Sequence, residues 1–102
     1  MAKKHYRKLV RDKIPEIIEN AGKKCKWRYA TDRTYPKFLA KKLYEEAKEF
    51  RDNPCDEELA DVLEVLHYII RDMDLKPYGA MGAKGAEKGR FDDRIILDWV
   101  EE

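Results

Sequence analysis

From residue 34 onward the apolar positions fall at helical intervals. Phe38, Leu39, Leu43, Ala47 and Phe50 recur every three or four residues until Arg51, Asp52, Asn53 and Pro54 break the pattern, which predicts a helix over 35–52 with Thr34 at its N-cap. A second helix is predicted over 55–73, with Leu59, Val62, Leu63, Leu66, Ile69 and Ile70 on one stripe and Val65 and Tyr68 on another. The Asn53-Pro54 stop also caps the second helix, and so short a connection makes the two helices antiparallel neighbours. Upstream, Ile14, Pro15, Ile17 and Ile18 open a short helix over 13–21. Its cap falls near Asp12 or Lys13, Pro15 sits in the first turn where a missing N–H costs little, and Gly22 is the stop.

Two segments break the helical period. Cys25, Trp27 and Tyr29 alternate with Lys24, Lys26 and Arg28, the period of an extended segment or short edge strand. Residues 75–92 hold Pro77, Gly79, Gly82, Gly85 and Gly89. A loop or a badly weakened helix is expected there, since each glycine costs about 1 kcal/mol in a helix relative to alanine. The tail carries Ile95, Ile96, Leu97, Trp99 and Val100, apolar enough to dock on something, in a conformation the pattern leaves open. The fold class expected is mainly all-α: a helical hairpin with an accessory short helix and a short extended segment. Residues 59–70 are apolar on two sides, so the reading is of a homodimer or higher homo-oligomer that completes a four-helix-type bundle.

Composition sharpens this picture. With 102 residues the chain is one domain's worth, read as a single unit over 1–102. Charged residues make up 42 % and hydrophobic ones 43 %, so apolar side chains have to be concentrated on a few amphipathic segments. No apolar run approaches the roughly 20 residues of a membrane span, and the charged first eight residues have no apolar core behind them. The expectation is a cytoplasmic protein, neither membrane-spanning nor secreted through a signal peptide, with Cys25 and Cys55 as free thiols. The net charge of +1 hides a segregation: 13 Lys/Arg against 4 Asp/Glu in residues 1–41, 4 against 11 in 42–74, and 5 against 6 in 75–102. A basic third and an acidic middle suit either nucleic-acid binding or the pairing of a cation with a polyphosphate.

The acidic middle has a geometry. Glu46 and Glu49 are i,i+3 neighbours on the first long helix, and Glu58 and Asp61 are i,i+3 neighbours on the second, so each pair points one way. Asp61 heads the stripe of Val65 and Tyr68, an unusual place for a solvated acid. In so tight a hairpin Glu49, Glu58 and Asp61 come within about one helical turn, with Glu46 a turn deeper. Four converging like charges demand protons or a cation. Hard oxygen ligands on facing helices suit Mg²⁺ or Mn²⁺, whereas zinc would ask for histidine or cysteine. A merely solvated acidic face is the competing explanation.

Glu45-Glu46-Ala47-Lys48-Glu49 followed by Glu58-Leu59-Ala60-Asp61 has the form EExxE then ExxD. It resembles the MazG-like, all-alpha nucleotide pyrophosphohydrolases that include phosphoribosyl-ATP pyrophosphohydrolase. The block from Tyr6 to Pro15 and the Lys84–Phe91 stretch resemble the start and the C-terminal lysine and Gly-Phe element of the phosphoribosyl-ATP pyrophosphohydrolase-like branch. The resemblance implies magnesium-dependent cleavage of a nucleoside triphosphate between its alpha and beta phosphates, giving a monophosphate and pyrophosphate. It implies Glu46, Glu49, Glu58 and Asp61 as metal ligands, with Glu45 placed to hold a further metal or orient the water. Arg11, Lys13, Lys84, Lys88 and Arg90 are then the candidates for binding the substrate's phosphates. Eight residues separate Glu49 from Glu58, fewer than in many MazG proteins and closer to the phosphoribosyl-ATP enzymes.

Other constellations are weaker. His5, His67, Cys25 and Cys55 lack the short-range pairing of a zinc site, and the glycine-rich stretch lacks the GxxxxGK[ST] of a P-loop. Trp27 and Tyr29 among lysines and arginine suit base stacking or, more simply, packing. The alternative to the enzyme is a non-enzymatic nucleic-acid or partner-binding helical module using residues 1–41.

Overall fold

A computed structural model describes residues 2–101. Among these residues there are four helices and no strand: α1 (Ile14–Asn20), α2 (Tyr35–Asp52), α3 (Asp56–Asp72) and α4 (Pro77–Lys88). None is long and apolar enough to cross a membrane, and both cysteines are free.

The helix ends are set by backbone geometry rather than by side-chain caps. Lys13 and Thr34 occupy the N-cap positions of α1 and α2 without a capping hydrogen bond. The Thr34 hydroxyl instead pairs with that of Thr31 at 2.8 Å, back toward the preceding turn. Gly22, at φ +83°, closes α1: its N–H donates to Glu19 O and the Lys23 N–H to Ile18 O, the paired reach-back of a Schellman stop. Cys55 precedes α3 in an extended conformation, and Asp56, Glu57 and Glu58 fill the first turn, where the positive end of the helix dipole favours acids.

Two stretches that the pattern left open are resolved. Residues 24–29 form no strand, because the single alternating run has no second run to pair with. Trp27 and Tyr29, which alternation places on one side, meet edge to face at 5.1 Å instead. Of the loop and the weakened helix that the glycine-rich stretch offered, residues 77–88 form the helix. Pro77 starts it, Ala80, Ala83 and Ala86 support it, and Gly89 at φ +81° ends it. Together these outweigh the cost of Gly79, Gly82 and Gly85.

α2 and α3 form the one extensive helix pair among the described residues. Leu39 is fully buried and Val65 and Glu46 nearly so, while Leu43, Phe50, Val62, Tyr68 and Ile69 are half-buried. The face that α3 turns to α2 is therefore the Glu58–Asp61–Val65–Tyr68 row, and the richer row of Leu59, Leu63 and Leu66 faces outward. At the open end of the hairpin the Tyr35 hydroxyl donates to Asp72 at 2.7 Å. The chain is extended, measuring 57 × 31 × 30 Å with a radius of gyration of 18.5 Å, against about 13 Å for a compact domain of this length.

Candidate metal centre

The closed end of the hairpin gathers the acids. Glu46 and Glu49 project from the last two turns of α2 and Glu58 and Asp61 from the first two of α3. One carboxylate oxygen from each lies within 4.8 Å of all the others. All four sequence-predicted ligands are thus brought together by two helices and a three-residue turn.

Their surroundings differ. Glu46 is 6 % exposed, and its Oε1 lies 3.2 Å from Lys42 Nζ. Its Oε2 is buried with no hydrogen-bond partner, as is Glu58 Oε2. Burial pushes the Glu46 carboxyl above the usual carboxylate range; Lys42 opposes this and the neighbouring Glu49 reinforces it. Glu49 is exposed, and Glu58 and Asp61 are half-buried. Two orphaned buried oxygens inside a ring of acids are costly unless a cation or protons fill the space.

The donor set fits a hard divalent cation: four carboxylates, with no nitrogen or sulfur ligand. Octahedral bonds of about 2.1 Å separate ligand oxygens by about 3.0 to 4.2 Å. The present separations, at most 4.8 Å, lie close to that range. Among the described residues this is the only cluster of metal-ligating groups. His5, His67, Cys25 and Cys55 do not assemble, and His67 packs edge to face on Tyr68.

The basic segment before α1 folds onto this acidic end. The Arg11 guanidinium donates to Asp61 Oδ1 at 2.8 Å, and Lys8 Nζ donates to Glu45 Oε1 at 2.8 Å. Lys42 reaches Glu45 Oε2 at 3.5 Å. The Lys8 hydrogen bond, with Lys42 beside it, holds the Glu45 carboxyl below its ordinary value. Glu45 thus sits beside the cluster, tied by two lysines. Lys8 and Lys42 are the site residues that the sequence reading missed. Lys42 was legible, since positions 42, 45 and 46 share a helix face; Lys8 lies 37 residues from its partner and leaves no local signal.

Of the five predicted phosphate-binding cations, Arg11 alone is joined to the cluster. No hydrogen bond or ion pair connects Lys13, Lys84, Lys88 or Arg90 to it among the described residues. The Arg90 guanidinium lies over Gly85, so close that a Cβ there would come within 2.7 Å of its Cζ. No family model, curated protein or solved structure matches the chain.

Proposed function

We propose that the protein is a Mg²⁺-dependent nucleotide pyrophosphohydrolase, with Mn²⁺ as a substitute, acting in the cytoplasm as a homo-oligomer. Its substrate is an ordinary or damaged nucleoside triphosphate or phosphoribosyl-ATP, cleaved between the alpha and beta phosphates to a monophosphate and pyrophosphate. The observation that supports this best is the convergence of four carboxylates within 4.8 Å, two of whose oxygens are buried without partners. The EExxE and ExxD elements and their likeness to MazG-like enzymes support the same chemistry.

In this reading Glu46, Glu49, Glu58 and Asp61 hold the metal. When bound, the metal supplies Lewis-acid polarisation of phosphate oxygens and neutralises charge developing on them. The chain's own groups do the rest. Glu45, kept ionised by Lys8 and Lys42, accepts a hydrogen bond from the attacking water or takes its proton. Arg11, 58 % exposed in its side chain, is within reach of an incoming phosphate, to which a guanidinium gives two parallel hydrogen bonds. Lys13, Lys84, Lys88 and Arg90 remain candidates for the outer phosphates.

The test is pyrophosphate release from a panel of ribo- and deoxynucleoside triphosphates and phosphoribosyl-ATP, with Mg²⁺, Mn²⁺ or chelator. Metal-dependent release is expected from at least one, and Glu49→Ala or Asp61→Ala should abolish it. Silence across the panel, or undiminished turnover in Asp61→Ala, overturns the reading. The nucleic-acid module keeps one observation in its favour: Trp27 and Tyr29 are 52 % and 84 % exposed beside Lys24, Lys26 and Arg28. Salt-sensitive binding of RNA or DNA without phosphate release would select it.

A further inference from the structure

Residues 2–11 carry five Lys/Arg and no Asp/Glu, and they have no regular structure. Among the described residues they make one backbone–backbone hydrogen bond, in which Arg11 O accepts from the Ile14 N–H. Leu9 is half-buried and the rest are exposed. So loose a segment has to be held by its side chains. Two of them hold it, Lys8 on Glu45 and Arg11 on Asp61, each at 2.8 Å. Among the described residues these are the only ion pairs between positions more than four apart in sequence. Three residues span at most about 10 Å, so the segment bridges α2 and α3 at the level of the acids.

The two contacts are unlike. Glu45 lies beside the four-carboxylate cluster, whereas Asp61 belongs to it. A cation bonded at about 2.1 Å to the oxygen that Arg11 holds would lie within about 5 Å of the guanidinium nitrogen, which sets two positive charges on one carboxylate. Which of them keeps Asp61 follows from what each can reach. Arg11 and Lys8, with side chains 58 and 39 % exposed, pair at the rim and leave Glu46 Oε2 and Glu58 Oε2 buried without partners. A small divalent ion within the cluster satisfies buried oxygens that a guanidinium does not reach. It also cancels two of the four negative charges that attract the segment.

We infer that residues 2–11 form a strap that closes the cation site, with Arg11 standing in for the cation on Asp61, and that a divalent cation releases the strap. The inference rests on the cation site proposed above. The docked strap is strained where it turns into Lys8: Arg7 has φ +45°, a left-handed conformation that favours glycine, and release lets it relax. Released, the Arg11 guanidinium is free to pair with a phosphate.

Limited trypsin digestion of the full chain reads the strap directly, because cutting after Lys8 tracks the fraction of time that it is undocked. Saturating Mn²⁺ should speed that cut roughly 5-fold. The cut after Lys26, in an irregular stretch away from the acids, should not change and controls for any effect on the protease. In Arg11→Ala the cut after Lys8 should be fast with or without Mn²⁺. In calorimetry Arg11→Ala and Lys8→Ala should each tighten Mn²⁺ binding about 5-fold, as loss of exposed ion pairs allows, although Lys8 touches none of the four ligands. Either change undocks the same strap, so the double variant should gain no more than one of them, whereas two independent charges would give about 25-fold. Unchanged cutting after Lys8 in protein that binds Mn²⁺, or a multiplicative gain in the double variant, would overturn the strap and leave the cation site standing. Absence of Mn²⁺ binding to the wild type would overturn both.

Discussion

Replacing Glu46 by glutamine should stabilise the metal-free protein and destroy its response to magnesium. Two unit charges 4.8 Å apart repel by about 3.5 kcal/mol at an effective dielectric constant of 20, and Glu46 faces three such neighbours within that distance. Lys42, at 3.2 Å, offsets about 5 kcal/mol of this on the same scale. The exposure of Glu49 screens part of the remainder. Removing the Glu46 charge should therefore relieve about 1–2 kcal/mol, which in a domain of this size raises Tm by roughly 5–10 °C. The sign reverses with metal present. A cation at 100 times its Kd adds about 2.7 kcal/mol to the wild type, and a site short of one carboxylate should gain little. Thermal denaturation of both proteins across a MgCl₂ titration, with KCl at matched ionic strength as control, reads both effects. A variant less stable than wild type without metal, yet shifted by Mg²⁺ as far as wild type, would refute the account of the cluster as a strained cation site.

Three further outcomes are expected. Gly82→Ala should stabilise α4 by about 1 kcal/mol, because a Cβ there meets nothing within 4 Å; loss of helicity by circular dichroism would mean that this face needs the glycine. Burial, with the hydrogen bond to Asp72, pushes the Tyr35 hydroxyl up to about 12 from an ordinary 10. The folded state thus holds this proton more tightly, and the resulting stability is complete below pH 10 and lost as pH rises toward 12; denaturation of Tyr35→Phe should lack that alkaline slope. Arg11→Ala should change stability by less than about 1 kcal/mol, since both partners of the pair with Asp61 are partly exposed. Calorimetry should show the same change tightening Mn²⁺ binding, by freeing Asp61 from a competing cation, and unaltered Mn²⁺ affinity would contradict that competition.

The hairpin was legible because its two helices carry strong period-3.6 patterns ended by Asn53 and Pro54, and helix spacing with one tight turn suffices to place four acids. The pairings of Lys8 with Glu45 and of Arg11 with Asp61 were not legible: they span 37 and 50 residues and depend on how an irregular segment lies. The glycine-rich stretch stayed open between loop and weakened helix because counting Gly79, Gly82 and Gly85 gave too little weight to Pro77, the three alanines and the Gly89 stop. Nor does counting apolar residues say which row of α3 faces α2. The richer Leu59–Leu63–Leu66 row points outward, and the row that heads into acids points in.

That inversion has a physical reading. A helix contributing Glu58 and Asp61 to an inward-facing site must turn the same face, farther along, toward the core. This fixes Val65 and Tyr68 against α2 and leaves the leucine row about a third of a turn away. The acids can be held together only if the helices bearing them resist being pushed apart. One small core, with Leu39 as its one fully buried large side chain among the described residues, is a weak brace for several mutually repelling charges. Truncating that core, as in Leu39→Ala, should therefore lower Mn²⁺ affinity in calorimetry through the spread of α2 from α3, and by reciprocity a bound cation should recover part of the stability so lost.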